Sequence, residues 1–192
     1  MKEDLIQRTR QALAGYRARR IEDDLMSPAA VLVLLYERDG QPHIVFTERS
    51  HDVRYHKGQI SFPGGAVEAD DADLLATALR ETFEEIGVSP QEVEVIGQLD
   101  DLITVTDFRV TPYVGVLKRE PNVPFVPHER EVAAVIEVPL RHLLDAMELE
   151  LRERRGKPVL VPAYTYKNHR IWGATASILK GLLDLISEDE RE

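Results

Sequence analysis

Three glutamates, Glu81, Glu84 and Glu85, stand at i, i+3 and i+4 within Arg80-Glu81-Thr82-Phe83-Glu84-Glu85-Ile86-Gly87-Val88. On an α-helix this spacing gathers the three carboxylates within about 100° of arc. Like charges one turn apart destabilise an isolated helix, so a compensating cation is expected. Hard divalent ions prefer oxygen ligands, and Mg²⁺ is commonly held by a few carboxylates together with substrate phosphates. Arg80 lies one turn before Glu84 and can orient that carboxylate through its forked donors. A solvated acidic face with incidental ion pairs is the plain alternative, and the helix by itself favours neither.

Two further groups of residues precede the helix. Phe62-Pro63-Gly64-Gly65 leads into Ala66-Val67-Glu68, and adjacent glycines let backbone amides approach a ligand closely. Upstream, Arg49, Arg54, His56 and Lys57 form a basic cluster in an otherwise acidic chain. Arginine suits phosphate because its planar fork donates two hydrogen bonds. The same arginines could instead tie down the loop by pairing with Glu48, Asp52 or Glu68, and both roles are expected among them.

Taken together, the glycine loop and the Arg-Glu-Thr-Phe-Glu-Glu-Ile-Gly-Val helix resemble the signature of the Nudix hydrolases. The fit has two departures. The spacing from Gly65 to Arg80 is one residue longer than usual, and Thr82 stands where an aliphatic residue is more common. The loop's acidic residue has two candidates, Glu68 and Asp71. Thr47, Arg49, Ser50, Arg54, Gly58 and Phe62-Pro63-Gly64-Gly65 also match the pattern T-x-R-S-x₃-R-x₃-G-x₃-F-P-G-G, which looks like the coenzyme A pyrophosphatase branch of that family. Thr104–Gly115, Glu131–Leu140 and His169–Thr175 resemble it as well, so the likeness runs roughly from Ala29 to Leu185.

The resemblance implies a Mg²⁺- or Mn²⁺-dependent hydrolase that splits the diphosphate of coenzyme A into 4′-phosphopantetheine and adenosine 3′,5′-bisphosphate. It assigns Glu81, Glu84 and Glu85 as metal ligands, Arg80 as their orienting cation, and Arg49, Arg54, His56, Lys57, Gly64 and Gly65 to substrate binding. The general base is either a glutamate of the helix or a residue from a downstream loop. Glu131 is the favoured downstream candidate and Glu129 the next; surface charge before a strand is the commoner role for such residues. Asp100, Asp101 and Asp107 are weaker candidates. Phe108 and Tyr113 are expected in the core, and Trp172 as a packed aromatic. Other readings are a pyrophosphatase for ADP-ribose, NADH or a similar nucleoside diphosphate, and a non-catalytic nucleotide-binding module of the same fold.

The elements that must position these groups follow from patterning. Asp4 to about Arg20 reads as a helix, with Leu5, Leu13 and Tyr16 near helical spacing. Ala29–Tyr36 is a short unbroken apolar run of buried-strand character, and Asp39-Gly40 is a hairpin turn leading to a strand at His43–Thr47. Glu48–Asp73 is rich in turn residues and reads as a long functional loop. Asp73 or a neighbour caps a helix to about Ile86, with an apolar stripe of Leu75, Leu79, Phe83 and Ile86 opposite the carboxylates and Gly87 just past its end. Strands follow at Glu92–Leu99, Val110–Lys118, Ala133–Val138, Leu149–Glu153 and Val159–Tyr166. A short helix follows Pro139, a hairpin turns at Arg155-Gly156, and a last helix spans Ala174–Ile186. Many strands with singly inserted helices predict an α/β (α+β) fold, a mixed β-sheet sandwiched between helices.

Bulk properties agree. The 192 residues suit one domain, 1–192, with a short acidic tail, Ser-Glu-Asp-Glu-Arg-Glu. Cysteine is absent, which excludes disulfide scaffolds, thiolate metal sites and cysteine nucleophiles. The formal net charge is −10, so a general nucleic-acid binder is not expected. Without a signal-like N-terminus or a long apolar run, a cytoplasmic protein with no membrane contact is expected. Its partner is a small nucleotide, and the sequence admits a homodimer.

Overall fold

The computed structural model describes residues 4–23, 25–50, 58–118, 123–154 and 156–188. Its centre is strand β1 (Ser27–Arg38), which pairs in parallel with β7 (Phe108–Leu117) and antiparallel with β2 (Gln41–Arg49). Beyond β2 lie β3 (Ile60–Ser61) and β8 (Val132–Pro139). On the other side, β7 pairs with β5 (Val93–Gln98) and the short β6 (Leu102–Ile103). β4 (Gly64–Ala66) adds to β1 near its start. A second, three-stranded sheet runs in the order β11 (His169–Ile171), β10 (Lys157–Tyr166), β9 (Met147–Arg154).

Alternation along β1 divides the core in two. Val33 and Leu35 face one cluster, which includes Leu5 and Leu13 of α1 (Leu5–Ala14) and Leu179, Leu182 and Ile186 of α4 (Gly173–Glu188). Ala30, Leu32 and Leu34 face the other, against Ala78 and Ile86 of α2 (Leu74–Ile86). Leu32, Val33, Leu34 and Leu35 are fully buried, and each such side chain contributes about 1.5–3 kcal/mol. The main sheet is thus sandwiched between α2 and the α1/α4 pair, as the strand-and-helix order predicts. The remaining helix, α3 (Leu140–Asp145), follows Pro139. Among the described residues no helix is long and apolar enough to cross a membrane.

Turn chemistry is realised as expected. Asp39 and Gly40 both take positive φ, 52° and 70°, which closes the β1–β2 hairpin. Gly156, at φ 73°, follows β9 and precedes β10.

Four expectations need correction. Helix α1 ends at Ala14, not near Arg20, because Gly15 follows and the next segment is drawn to another element: Tyr16 Oη and the Arg19 N–H donate to Asp100 at 2.6 and 2.8 Å. The stretch Glu48–Asp73 is not wholly loop, since β2 continues to Arg49 and both β3 and β4 lie within it. The packing face of α2 is Thr77, Ala78, Thr82, Glu85 and Ile86, while Phe83 is 54% exposed. Thr82 can sit there because its hydroxyl donates to Ala78 O at 2.7 Å. Trp172 is 45% exposed just before α4, so it is not a packed core aromatic.

Gly64 shows how tightly β4 is seated. A Cβ at this position would lie 2.3 Å from Ala30 O and 2.6 Å from Val31 Cα, and its φ is +150°. Gly64→Ala is expected to lower stability by about 2–4 kcal/mol, seen as an earlier urea midpoint with an unchanged slope.

Candidate active site

Helix α2 is fixed at both ends by its own sequence. The Asp73 side chain accepts from the Ala76 N–H at 2.8 Å, and Gly87 adopts φ 71° with its N–H on Phe83 O at 2.9 Å. Between these caps the helix presents Arg80, Glu81, Glu84 and Glu85 toward β4 and the loop that follows it.

Arg80 organises the group. Its Nε and Nη2 donate to the two oxygens of Asp71 at 2.8 and 3.0 Å, and Nη2 also reaches Ala66 O at 3.2 Å. Nη1 donates to Glu81 at 3.0 Å and to Glu84 at 3.1 Å, and lies 3.8 Å from Glu68. Of the two acidic loop candidates, Asp71 takes the close two-pronged contact. Its side chain is 5% exposed, and it also accepts from Thr77 Oγ1 and the Glu68 N–H. The Arg80 hydrogen bonds hold the Asp71 carboxyl far below the usual carboxylate range, and the same pairing raises Arg80 further.

The three helix glutamates are unequal. Glu84 is 52% exposed and Glu81 16%. Glu85 is buried, its residue 5% exposed. Burial, reinforced by the Glu81 charge, pushes the Glu85 carboxyl up to about 8, against opposing contributions from Arg49 and the Gly64 N–H. Desolvation also raises Glu81, with Arg80 opposing. Gly65 explains how Glu81 fits: a Cβ there would lie 2.4 Å from Glu81 Oε1. The Gly64 N–H points to Glu85 Oε2 at 3.4 Å. These glycines therefore admit and steer carboxylates.

Glu131 reaches the site through backbone tethers. The Val126 and His128 N–H groups donate to Ile86 O and Glu85 O at 3.0 and 2.9 Å, and the Ser50 N–H donates to Glu131 O at 2.8 Å. The Glu131 charge acts on both Glu81 and Glu85, while its side chain remains about half exposed, 3.9 Å from His128 Nδ1. Glu129 is exposed in the same turn. Arg49, at the end of β2, has its buried Nε without a hydrogen-bond partner among the described residues. Arg54, His56 and Lys57 lie outside the described residues.

Other carboxylates do different work. Asp101 is buried and accepts from Thr111 Oγ1 and the Ile21 N–H, so it and Asp100 hold the segment after α1. Asp107 is an exposed turn residue at φ 60°. Phe108 and Tyr113 pack against the two core clusters. His169 lies 3.8 Å from Glu48, and Arg170 pairs with Glu148 and Glu150.

Among the described residues no three acidic or imidazole groups converge into a ready cation cage. Glu84 and Glu81 are drawn instead to Arg80. The donor chemistry nevertheless suits a hard cation: all-oxygen ligands, one of them dry beside a second carboxylate and short of positive charge. Glu81, Glu84 and Glu85 are the residues that would hold it.

Comparison with known proteins bears on family and fold. The family described as NUDIX domain matches residues 26–161. A protein of Salmonella paratyphi B described as an uncharacterized Nudix hydrolase, NudL, is 44% identical over 156 residues, 80% of each chain. The Caenorhabditis elegans Ap4A hydrolase, in a binary complex, superposes with a TM-score of 0.51 at 18% identity, covering 62% of this chain and 84% of that one. A MutT/nudix family protein from Enterococcus faecalis gives a TM-score of 0.53 at 15% identity, covering 87% and 64%. These two structures are likenesses of fold.

The dry carboxyl has a thermal signature. With Glu85 raised from 4.5 to about 8 in the fold, the stability linked to its neutral form is full below about 4.5 and lost as pH rises toward about 8. Without divalent metal, Glu85→Gln should melt several degrees above the wild type at pH 8 and close to it at pH 5. Adding Mg²⁺ should raise the wild-type melting temperature more than that of the variant. Parallel pH profiles for the two proteins would show that Glu85 is not a strained, desolvated acid.

Proposed function

Since the chain belongs to the Nudix hydrolase family, enzymes that act on pyrophosphate bonds, we propose that it is a divalent-metal-dependent pyrophosphohydrolase whose substrate is coenzyme A. The observation that carries the catalytic reading is the clustering of Asp71, Arg80, Glu81, Glu84, Glu85 and the Glu131 turn around one end of α2. Support for coenzyme A comes from Thr47, Arg49, Ser50, Arg54, Gly58 and Phe62-Pro63-Gly64-Gly65. Arg49 lies close enough to Glu85 to act on its charge, and its buried Nε has no hydrogen-bond partner among the described residues.

In this reading Glu81, Glu84 and Glu85 hold Mg²⁺ or Mn²⁺. The bound ion supplies charge neutralisation for the phosphates and a more acidic water. Arg80 fixes the directions of Glu81 and Glu84 while itself anchored by Asp71. Glu131, about half exposed and electrostatically coupled to Glu81 and Glu85, accepts a proton from the attacking water. Water adds to one phosphorus of the diphosphate, the bridging P–O bond breaks, and the products are 4′-phosphopantetheine and adenosine 3′,5′-bisphosphate. Gly65 leaves room for the Glu81 carboxylate, and the Gly64 N–H faces Glu85.

Arg49 and the basic residues Arg54, His56 and Lys57 are assigned to the substrate's phosphates. The described residues flanking that basic stretch meet at one point: the Gly58 N–H donates to Arg49 O at 3.0 Å, next to the Ser50–Glu131 contact. Ser50 and Gly58 therefore both stand at the rim of the site.

A substrate panel tests the proposal. Coenzyme A, ADP-ribose, NADH and diadenosine polyphosphates are incubated with Mg²⁺, Mn²⁺ or chelator, and the products identified by mass. Metal-dependent release of 4′-phosphopantetheine well above any other turnover is expected; preference for another diphosphate would replace coenzyme A, and tight nucleotide binding without turnover would point to a binding module. Glu84→Gln should remain folded and lose roughly a hundredfold or more in turnover. Arg54→Ala should harm coenzyme A hydrolysis more than ADP-ribose hydrolysis, and equal losses would reduce Arg54 to a loop-shaping residue.

A further inference from the structure

The β9–β10 ribbon is amphipathic in an unusual direction. Pairing sets Leu151 opposite Leu160, Leu149 opposite Pro162 and Met147 opposite Tyr164. Tyr164 is buried at the base of the ribbon, but Met147 is 44%, Leu149 55%, Leu160 64% and Leu151 69% exposed. The opposite face is saturated with charge pairing: Arg170 with Glu148 and Glu150, Arg152 with Glu150 at 2.7 Å, and Thr165 Oγ1 with Glu148 at 3.1 Å. Water therefore meets the leucines, while the polar groups satisfy one another. The bare apolar surface is on the order of 400 Å², as large as the largest patch of an ordinary monomer and a fitting centre for an interface of about 800 Å² per partner. β9 is also the edge strand of its sheet, with no partner on its outer side among the described residues.

We propose that β9 pairs antiparallel with β9 of a second copy of this chain, about a two-fold axis through Leu151. Two three-stranded sheets would thereby join into one of six strands, with Leu151 and Leu160 of both copies forming one apolar row across its centre. The strand is written for this pairing. At alternate positions it reads Glu148, Glu150, Arg152, Arg154, acid first and base second, while Glu153 stands near the strand's end on the side of Leu149 and Leu151. The two-fold register at Leu151 sets Glu150 against Arg152 of the second copy and position 148 against position 154. Sliding the register so that Leu149 meets Leu151 would place Glu150 against Glu150, which is unfavourable. A two-fold interface demands this kind of self-complementarity.

The chain has no cysteine, so single-cysteine variants give a clean test in the full protein. Directly opposed Cα atoms in an antiparallel pair are about 4.5 or 5.5 Å apart, within disulfide reach. Sedimentation should show a wild-type dimer at micromolar concentration. Mild oxidation should convert Leu151→Cys almost completely to a disulfide-linked dimer. Leu160→Cys, one strand further from the axis on each side and so about 14 Å from its counterpart, should not cross-link. The double variant Leu149→Glu/Leu151→Glu should keep its circular dichroism spectrum and raise the dimer dissociation constant by about a hundredfold or more. A monomer at every concentration would overturn the proposal, as would a dimer in which Leu151→Cys fails to cross-link. Monomers that bind anionic lipid vesicles through these leucines would overturn it as well.

Discussion

One guanidinium decides the shape of the candidate active site of this molecule. Around Arg80 stand Asp71, Glu81 and Glu84 within hydrogen-bond distance, with Glu68 slightly further away. In a chain of net charge −10, gathering these carboxylates without a fixed cation would drive the loop from the helix. Arginine alone has enough donors, in a rigid enough plane, to serve Asp71 with two prongs and still reach two glutamates and Ala66 O. The Asp71 contact closes the loop onto α2, and that closure brings Gly64 and Gly65 under Glu85 and Glu81.

The second constraint is a gradient of water across three identical side chains. Glu84 sits largely in solvent, Glu81 at the boundary and Glu85 within the packed face of α2. Helical spacing determines that they share a side; the position of β1 and β4 determines how wet each is. A dry carboxylate beside another resists ionisation, so this site has a standing demand for positive charge that Arg49 meets only in part.

Much of this was legible in the residues. An unbroken apolar run and turn chemistry located β1, β2 and their hairpin to within a few residues, and a cap at Asp73 or a neighbour with Gly87 past the end bounded α2. The carboxylate spacing and the glycine pair pointed to the site. Three things were hidden. The Arg80–Asp71 contact spans nine residues through an irregular loop, where no period applies, so Glu68 and Asp71 looked alike. The short strands β3 and β4 owe their existence to partners on β2 and β1, not to local propensity, and glycine-rich β4 carries an anti-strand composition. The apolar face of α2 was misplaced because Thr82 and Glu85 are buried for reasons of hydrogen bonding and chemistry, which a hydrophobicity stripe does not register.

The turn that carries Glu131 is tethered to α2 and to the end of β2 through main-chain hydrogen bonds: the amides of Val126, His128 and Ser50 and the carbonyls of Ile86, Glu85 and Glu131. Such a clasp is indifferent to side-chain identity. Residues along it can drift over generations without shifting the acid they deliver, so descendants of this scaffold can revise which molecules they admit while keeping the bond they cut.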